Sequence, residues 1–150
     1  MYAAGVGMRL KSASGERPKV LLEFGGKSLL ERHLESLRAV GVTRLTLVTG
    51  YQPELIRAAL PRLQPRHGVE IQTLHNPDFT EGSILSLAAS LPVLQTIAPN
   101  QSALLMDGDV LYPTAILRQL VASPHRTALL IDRDYSTADD DPVLVPIANG

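Results

Sequence analysis

A three-layer α/β domain with a mostly parallel sheet is the fold class this sequence predicts. Three observations predict it. Apolar runs of strand length alternate with segments of helical apolar spacing through most of the chain. The runs at residues 45–48 and 103–106 are apolar enough for parallel strands covered on both faces. Polar groups then follow those runs directly, as Thr49-Gly50-Tyr51 and Asp107-Gly108-Asp109. In an open parallel sheet, ligands bind beyond the carboxyl ends of the strands.

The elements follow in order. Ala3-Ala4-Gly5-Val6-Gly7-Met8-Arg9 opens an irregular segment that continues to Pro18-Lys19. Residues 20–24 read as a short strand or extended piece closed by Gly25-Gly26. Ser28 begins a helix, because Ser28 and Glu31 have capping-box spacing. Leu29, Leu30, His33, Leu34, Leu37 and Val40 give that helix its apolar face, and Gly41 stops it. Residues 45–49 are a strand. Pro53 opens a second helix to about Leu60, where Pro61 and Pro65 end it. Residues 69–74 are the next strand, and a loop over 75–82 leads to a helix over 83–91. Residues 103–106 form a buried strand. Pro113 opens a helix to about Ala122. Strands are expected at 128–131 and 143–147, with Asn149-Gly150 as a hairpin turn.

Composition narrows the functional class. A chain of 150 residues with a formal net charge of −1 fits one domain. It carries no charge excess for bulk binding to nucleic acid or to an anionic membrane surface. There is no cysteine, so disulfides, thiolate metal sites and a cysteine nucleophile are excluded. No apolar run has the length of a membrane span, and no signal segment opens the chain. A cytoplasmic protein is expected. Ser12, Ser14 and Ser28 lack a paired histidine and acid, so a hydrolase triad is unsupported.

Two constellations carry chemistry. Gly5, Gly7, Arg9 and Lys19 together read as a polyphosphate cradle. Glycine admits close backbone approach, Arg9 grips phosphate oxygens in a fork, and Lys19 supplies a point charge. Asp107 and Asp109, with one glycine between them, offer hard oxygen ligands suited to Mg²⁺. Turn stabilisation or helix capping would also explain these aspartates. Asp132 and Asp134 repeat the spacing without a cradle beside them.

The cradle sequence, with Arg-Pro-Lys-Val-Leu-Leu and Gly-Gly-Lys-Ser-Leu-Leu after it, resembles the nucleotidyltransferase family. That family includes sugar-phosphate nucleotidylyltransferases and phosphocholine cytidylyltransferases. The resemblance implies a Rossmann-like three-layer fold and transfer of a nucleotidyl group, with CTP favoured, to a phosphorylated small molecule. It implies Mg²⁺ held by Asp109, with Asp107 as a further ligand. Arg9, Lys19 and Asp109 would be catalytic. Ala3, Ala4, Gly5, Gly7, Arg9, Lys19, Gly82 and Ser83 would bind the nucleotide. Locally, Gly82-Ser83 reads equally well as a helix start capped by Ser83. Two readings compete with transfer. One is a non-catalytic nucleotide-binding module. The other is a glycosyltransferase domain with an Asp-x-Asp metal site. The family has a whole strand before the first alanine, where only Met1 and Tyr2 stand here, and it is longer. On that ground the single domain is expected to be incomplete, marginally stable or self-associating, and nearly inactive alone. Homo-oligomer formation stays open.

Overall fold

The computed structural model describes residues 1–7 and 17–131. Arg9, Asp132, Asp134, the strand expected at 143–147 and the turn at Asn149-Gly150 lie outside the described residues.

The elements are β1 (Tyr2–Ala3), a 3-10 turn (Lys19–Leu21), β2 (Glu23–Phe24), β3 (Lys27–Ser28), α1 (Leu29–Ala39), β4 (Arg44–Thr49), α2 (Pro53–His67), β5 (Glu70–His75), α3 (Ser83–Leu94) and α4 (Thr114–Val121). A parallel sheet has the order β1-β4-β5, and β2 and β3 form a separate antiparallel hairpin. Tyr2 registers with Val48 and Ala3 with Thr49, while Arg44 to Thr49 run in register with Glu70 to His75. On the other side of β1, Tyr2 bridges Asp107 in the parallel sense. The predicted α/β fold with a parallel sheet between helices is therefore the observed one.

Two faces of the sheet are covered. Leu45 and Leu47 of β4 join a core with Leu30, Leu34 and Leu37 of α1 and Ile56, Leu60 and Leu63 of α2. Successive strand residues point to opposite faces. Val48, also buried, therefore faces the other way, as does its register partner Tyr2. The Tyr2 hydroxyl meets Ser90 Oγ of α3 at 3.2 Å, so α3 lies on that second face.

The capping box forms as the spacing predicts. Ser28 N donates to Glu31 Oε2 at 2.8 Å, and Glu31 N donates to Ser28 Oγ at 3.2 Å. Arg66 of α2 reaches Glu31 Oε1 at 3.1 Å. The Ser28 backbone bond holds the Glu31 carboxyl below its ordinary value of 4.5, with the nearby Arg62 and Arg66 charges adding to it. A carboxyl held low in the folded state stabilises fully above its unfolded value and loses that contribution as pH falls through the folded one. Wild type is thus expected to lose melting temperature relative to Glu31→Gln below about pH 4.5, while exceeding it at neutral pH. Paired thermal melts across that range check it.

Several elements differ from expectation. The segment after Pro18 is a 3-10 turn and not a strand, because Leu21 N and Leu22 N donate back to Pro18 O and Lys19 O. That turn buries Val20 against the core. Helix α2 continues through Pro61 and Pro65 to His67. Both prolines are exposed and four residues apart, while Ile56, Leu60 and Leu63 are buried. Core burial along that face outweighs the roughly 3 kcal/mol disfavouring of an interior proline. Pro92 is likewise inside α3, which runs to Leu94. Ser83 does not cap α3: Gly82 is the N-cap residue, with no side-chain cap bond. Residues 103–106 pair with β1 only around Met106 and Asp107, since β1 contributes two residues to the ladder. Residues 128–131 form no strand, and Leu129, Leu130 and Ile131 are exposed. Among the described residues, no helix is long and apolar enough to cross a membrane.

Candidate functional site

The site begins where β1 ends. Ala4 is buried and its carbonyl accepts from Tyr51 N at 3.0 Å, which ties the loop after β1 to the end of β4. Thr49 is fully buried with its hydroxyl donating to Leu74 O, so its polar group is used within the sheet. Gly7 has φ +70, and a Cβ there would stand 2.7 Å from Lys19 Cγ and 2.8 Å from Lys19 Cε. The lysine stem therefore lies directly on the bare backbone of Gly7. From that bed Lys19 Nζ donates to Asp109 Oδ2 at 2.9 Å. Residues 90 apart in sequence thus meet at one point. Both side chains are partly exposed, so the pair contributes only about 0.2–1 kcal/mol and yields readily to a better partner.

Asp107-Gly108-Asp109 is pressed against β1. Gly108 N donates to Tyr2 O at 2.7 Å, and a Cβ on Gly108 would come within 2.9 Å of that oxygen. Only glycine permits this approach. The two aspartates flank it with exposed side chains. Partial burial, and then the charge of Asp109, push the Asp107 carboxyl above its ordinary value. Two like charges on one turn favour a cation between them. Among the described residues, no three His, Cys, Asp or Glu side chains converge to hold a metal ion. The protein thus offers two carboxylates. That suits Mg²⁺, which typically takes one or two carboxylates and completes its shell with water and substrate phosphates.

One contributor escaped the sequence reading. His33 of α1 is 1% exposed, and its Nε2 lies 3.2 Å from Gly108 O. The helical spacing alone suggested a partly buried helix residue. The available signal was a polar ring within a stripe of buried leucines, which demands a hydrogen-bond partner. Burial holds its imidazole below the ordinary histidine value. Tyr112 sits beside it, with ring centroids 6.3 Å apart, and its phenol is pushed up by burial and the Asp107 charge.

Gly82 and Ser83 stand at the start of α3, beyond the loop that follows β5. That loop is ordered by the buried Asn76, whose Oδ1 accepts from Asp78 N and whose Nδ2 donates to Ser86 Oγ. No described hydrogen bond joins Gly82 or Ser83 to Gly7, Lys19 or Asp109. The structure brings Gly7 and Lys19 together with Asp109 of the Asp107-Gly108-Asp109 turn, while Gly82 and Ser83 stand at the N-terminal end of α3. A cavity of about 300 Å³ between α1 and the segment before α4 is lined by Arg32, Glu35, Tyr112 and Thr114, and Gly7, Lys19, Asp107 and Asp109 are not among its lining residues.

The sequence profile of the MobA-like NTP transferase domain matches residues 2–146. The chain belongs to the MobA-like NTP transferase family. It is 33% identical over 134 residues to the CMP-5'-(3-aminopropyl)phosphonate synthase of Streptomyces rubellomurinus, covering 89% of this chain and 20% of that protein. It is 35% identical over 121 residues to the bifunctional protein GlmU of Burkholderia mallei, covering 80% of this chain and 24% of that one. Among solved structures, the inositol-1-phosphate CTP transferase from T. maritima superposes with a TM-score of 0.51 at 35% identity. That superposition covers 61% of this MobA-like domain and 36% of the transferase. The chain spans about a fifth to a quarter of the length of these curated relatives.

Proposed function

We propose that this chain is the nucleotide-binding domain of a Mg²⁺-dependent nucleotidyltransferase. Its substrates would be a nucleoside triphosphate, CTP favoured, and a phosphorylated small molecule such as phosphocholine or a sugar phosphate. The observation that carries the reading is Lys19, seated on Gly7 and reaching Asp109, at the carboxyl end of β1. The family match supports nucleotidyl transfer, and two relatives whose names contain CMP or CTP support the choice of base.

In this reading the acceptor phosphate oxygen forms a bond to the α-phosphorus. The bond from that phosphorus to the bridging oxygen breaks, and its electron pair leaves with pyrophosphate. The chain's work is alignment and charge neutralisation. Backbone amides from Ala3 to Gly7 would face the phosphates, with Arg9 and Lys19 as cationic clamps. Lys19 would exchange its weak bond to Asp109 for a phosphate oxygen. Gly82 and Ser83 would face the base. Asp109, with Asp107, would hold Mg²⁺, which would neutralise charge on the phosphates.

Calorimetric titration with CTP tests this. Binding is expected with Mg²⁺ and should weaken strongly without it. Equal affinity in both conditions would refute the metal assignment. Gly7→Ala is expected to cost about 1 kcal/mol of stability through backbone strain. It should also weaken CTP binding, because the new methyl displaces Lys19. Unchanged CTP affinity in a folded Gly7→Ala protein would remove Gly7 from the account.

A further inference from the structure

The role of His33 extends past packing. Any aliphatic residue would satisfy its place beside Leu30, Leu34 and Leu37, all of which are essentially fully buried. An imidazole there requires a polar partner, and the partner is the Gly108 carbonyl, 75 residues away. A carbonyl accepts, so Nε2 must carry the proton. The low basicity that burial imposes suits a neutral ring of that tautomer.

Gly108 is thereby held from two sides. Its N–H is fixed to Tyr2 of β1, and its C=O is fixed to His33 of α1. The second bond restrains the peptide that joins Gly108 to Asp109. Rotation of that peptide would swing the Asp109 carboxylate relative to Asp107. We infer that His33 is a positioning residue: it fixes the Gly108–Asp109 peptide from the helix side and so sets the separation of the two carboxylates. This inference rests on the Mg²⁺ reading of those aspartates.

The test measures Mn²⁺ binding by paramagnetic resonance in the presence of CTP, so no turnover is needed. Three variants are compared. His33→Leu fills the space without a donor. His33→Gln offers an amide N–H at similar reach, and His33→Asn carries the same amide one carbon short. His33→Leu and His33→Asn are expected to bind Mn²⁺ about 10-fold more weakly, with His33→Gln within about twofold of wild type. Metal-free CTP affinity should be the same in all three. In an Asp109→Asn background, His33→Leu should cause no further loss. If His33→Leu does not fold, the Gln and Asn pair decides alone.

Equal Mn²⁺ affinity in the Gln and Asn variants would overturn the inference. So would a matching loss of metal-free CTP affinity, which marks general structural damage. A wild-type protein without Mn²⁺-dependent CTP binding would refute the metal site itself. Wild-type binding that no His33 variant changes would refute only the positioning role.

Discussion

Asp109→Asn is expected to abolish the Mg²⁺ dependence of nucleotide binding. The substitution preserves shape and removes one negative charge. It also releases Lys19, whose ammonium now lies 2.9 Å from that carboxylate. Metal-free CTP affinity should therefore be unchanged or rise slightly, since the exposed pair is worth only about 0.2–1 kcal/mol. This combination separates a metal ligand from a residue that merely supports the fold, which would weaken binding in both conditions. Asp107→Asn should have a smaller effect, because Asp109 is the carboxylate that stands beside Lys19. Calorimetry with and without Mg²⁺ on both variants decides it. Wild-type behaviour of Asp109→Asn, with failure of an Asp132 or Asp134 variant, would transfer the metal role to that second pair.

Lys19→Ala is the second large effect. A charged hydrogen bond to phosphate is worth about 1.5–3 kcal/mol, so affinity for Mg²⁺-CTP should fall roughly 10-fold to 100-fold. Truncation also uncovers Gly7, whose backbone now carries the lysine stem. The fold should be little affected, because Lys19 contributes its backbone to a 3-10 turn and its side chain to an exposed pair. Arg9→Ala is expected to weaken binding by a similar amount. Unchanged affinity in both variants would dispose of the phosphate cradle.

Local rules made much of this fold legible. The Ser28–Glu31 box, the leucine stripe of α1 and the apolar runs of β4 and β5 each depend on residues close in sequence. They form as the spacing predicts. Failures arose where distant partners decide. Pro61 and Pro65 terminate a helix only if packing does not override them, and here both face solvent while Leu60 and Leu63 face the core. The run at 103–106 is apolar enough for a strand, yet its length as a strand depends on how much of β1 stands beside it. At the site, glycines, a lysine and paired aspartates are recognisable residue types. Their meeting across 90 residues is a property of the sheet order. His33 was visible only as a polar interruption, since nothing near it in sequence names the Gly108 carbonyl as its partner.

The proposed reaction is transfer of a nucleotidyl group with loss of pyrophosphate. Pyrophosphate release from CTP, GTP, UTP and ATP, each offered with phosphocholine or a sugar phosphate in Mg²⁺ to a chain extended at both ends, is the direct test. Release is expected to require an acceptor, to be fastest with CTP and to disappear in Asp109→Asn. Absence of pyrophosphate with every nucleotide and acceptor, from a protein that binds Mg²⁺-CTP, would contradict it and leave a nucleotide-binding module.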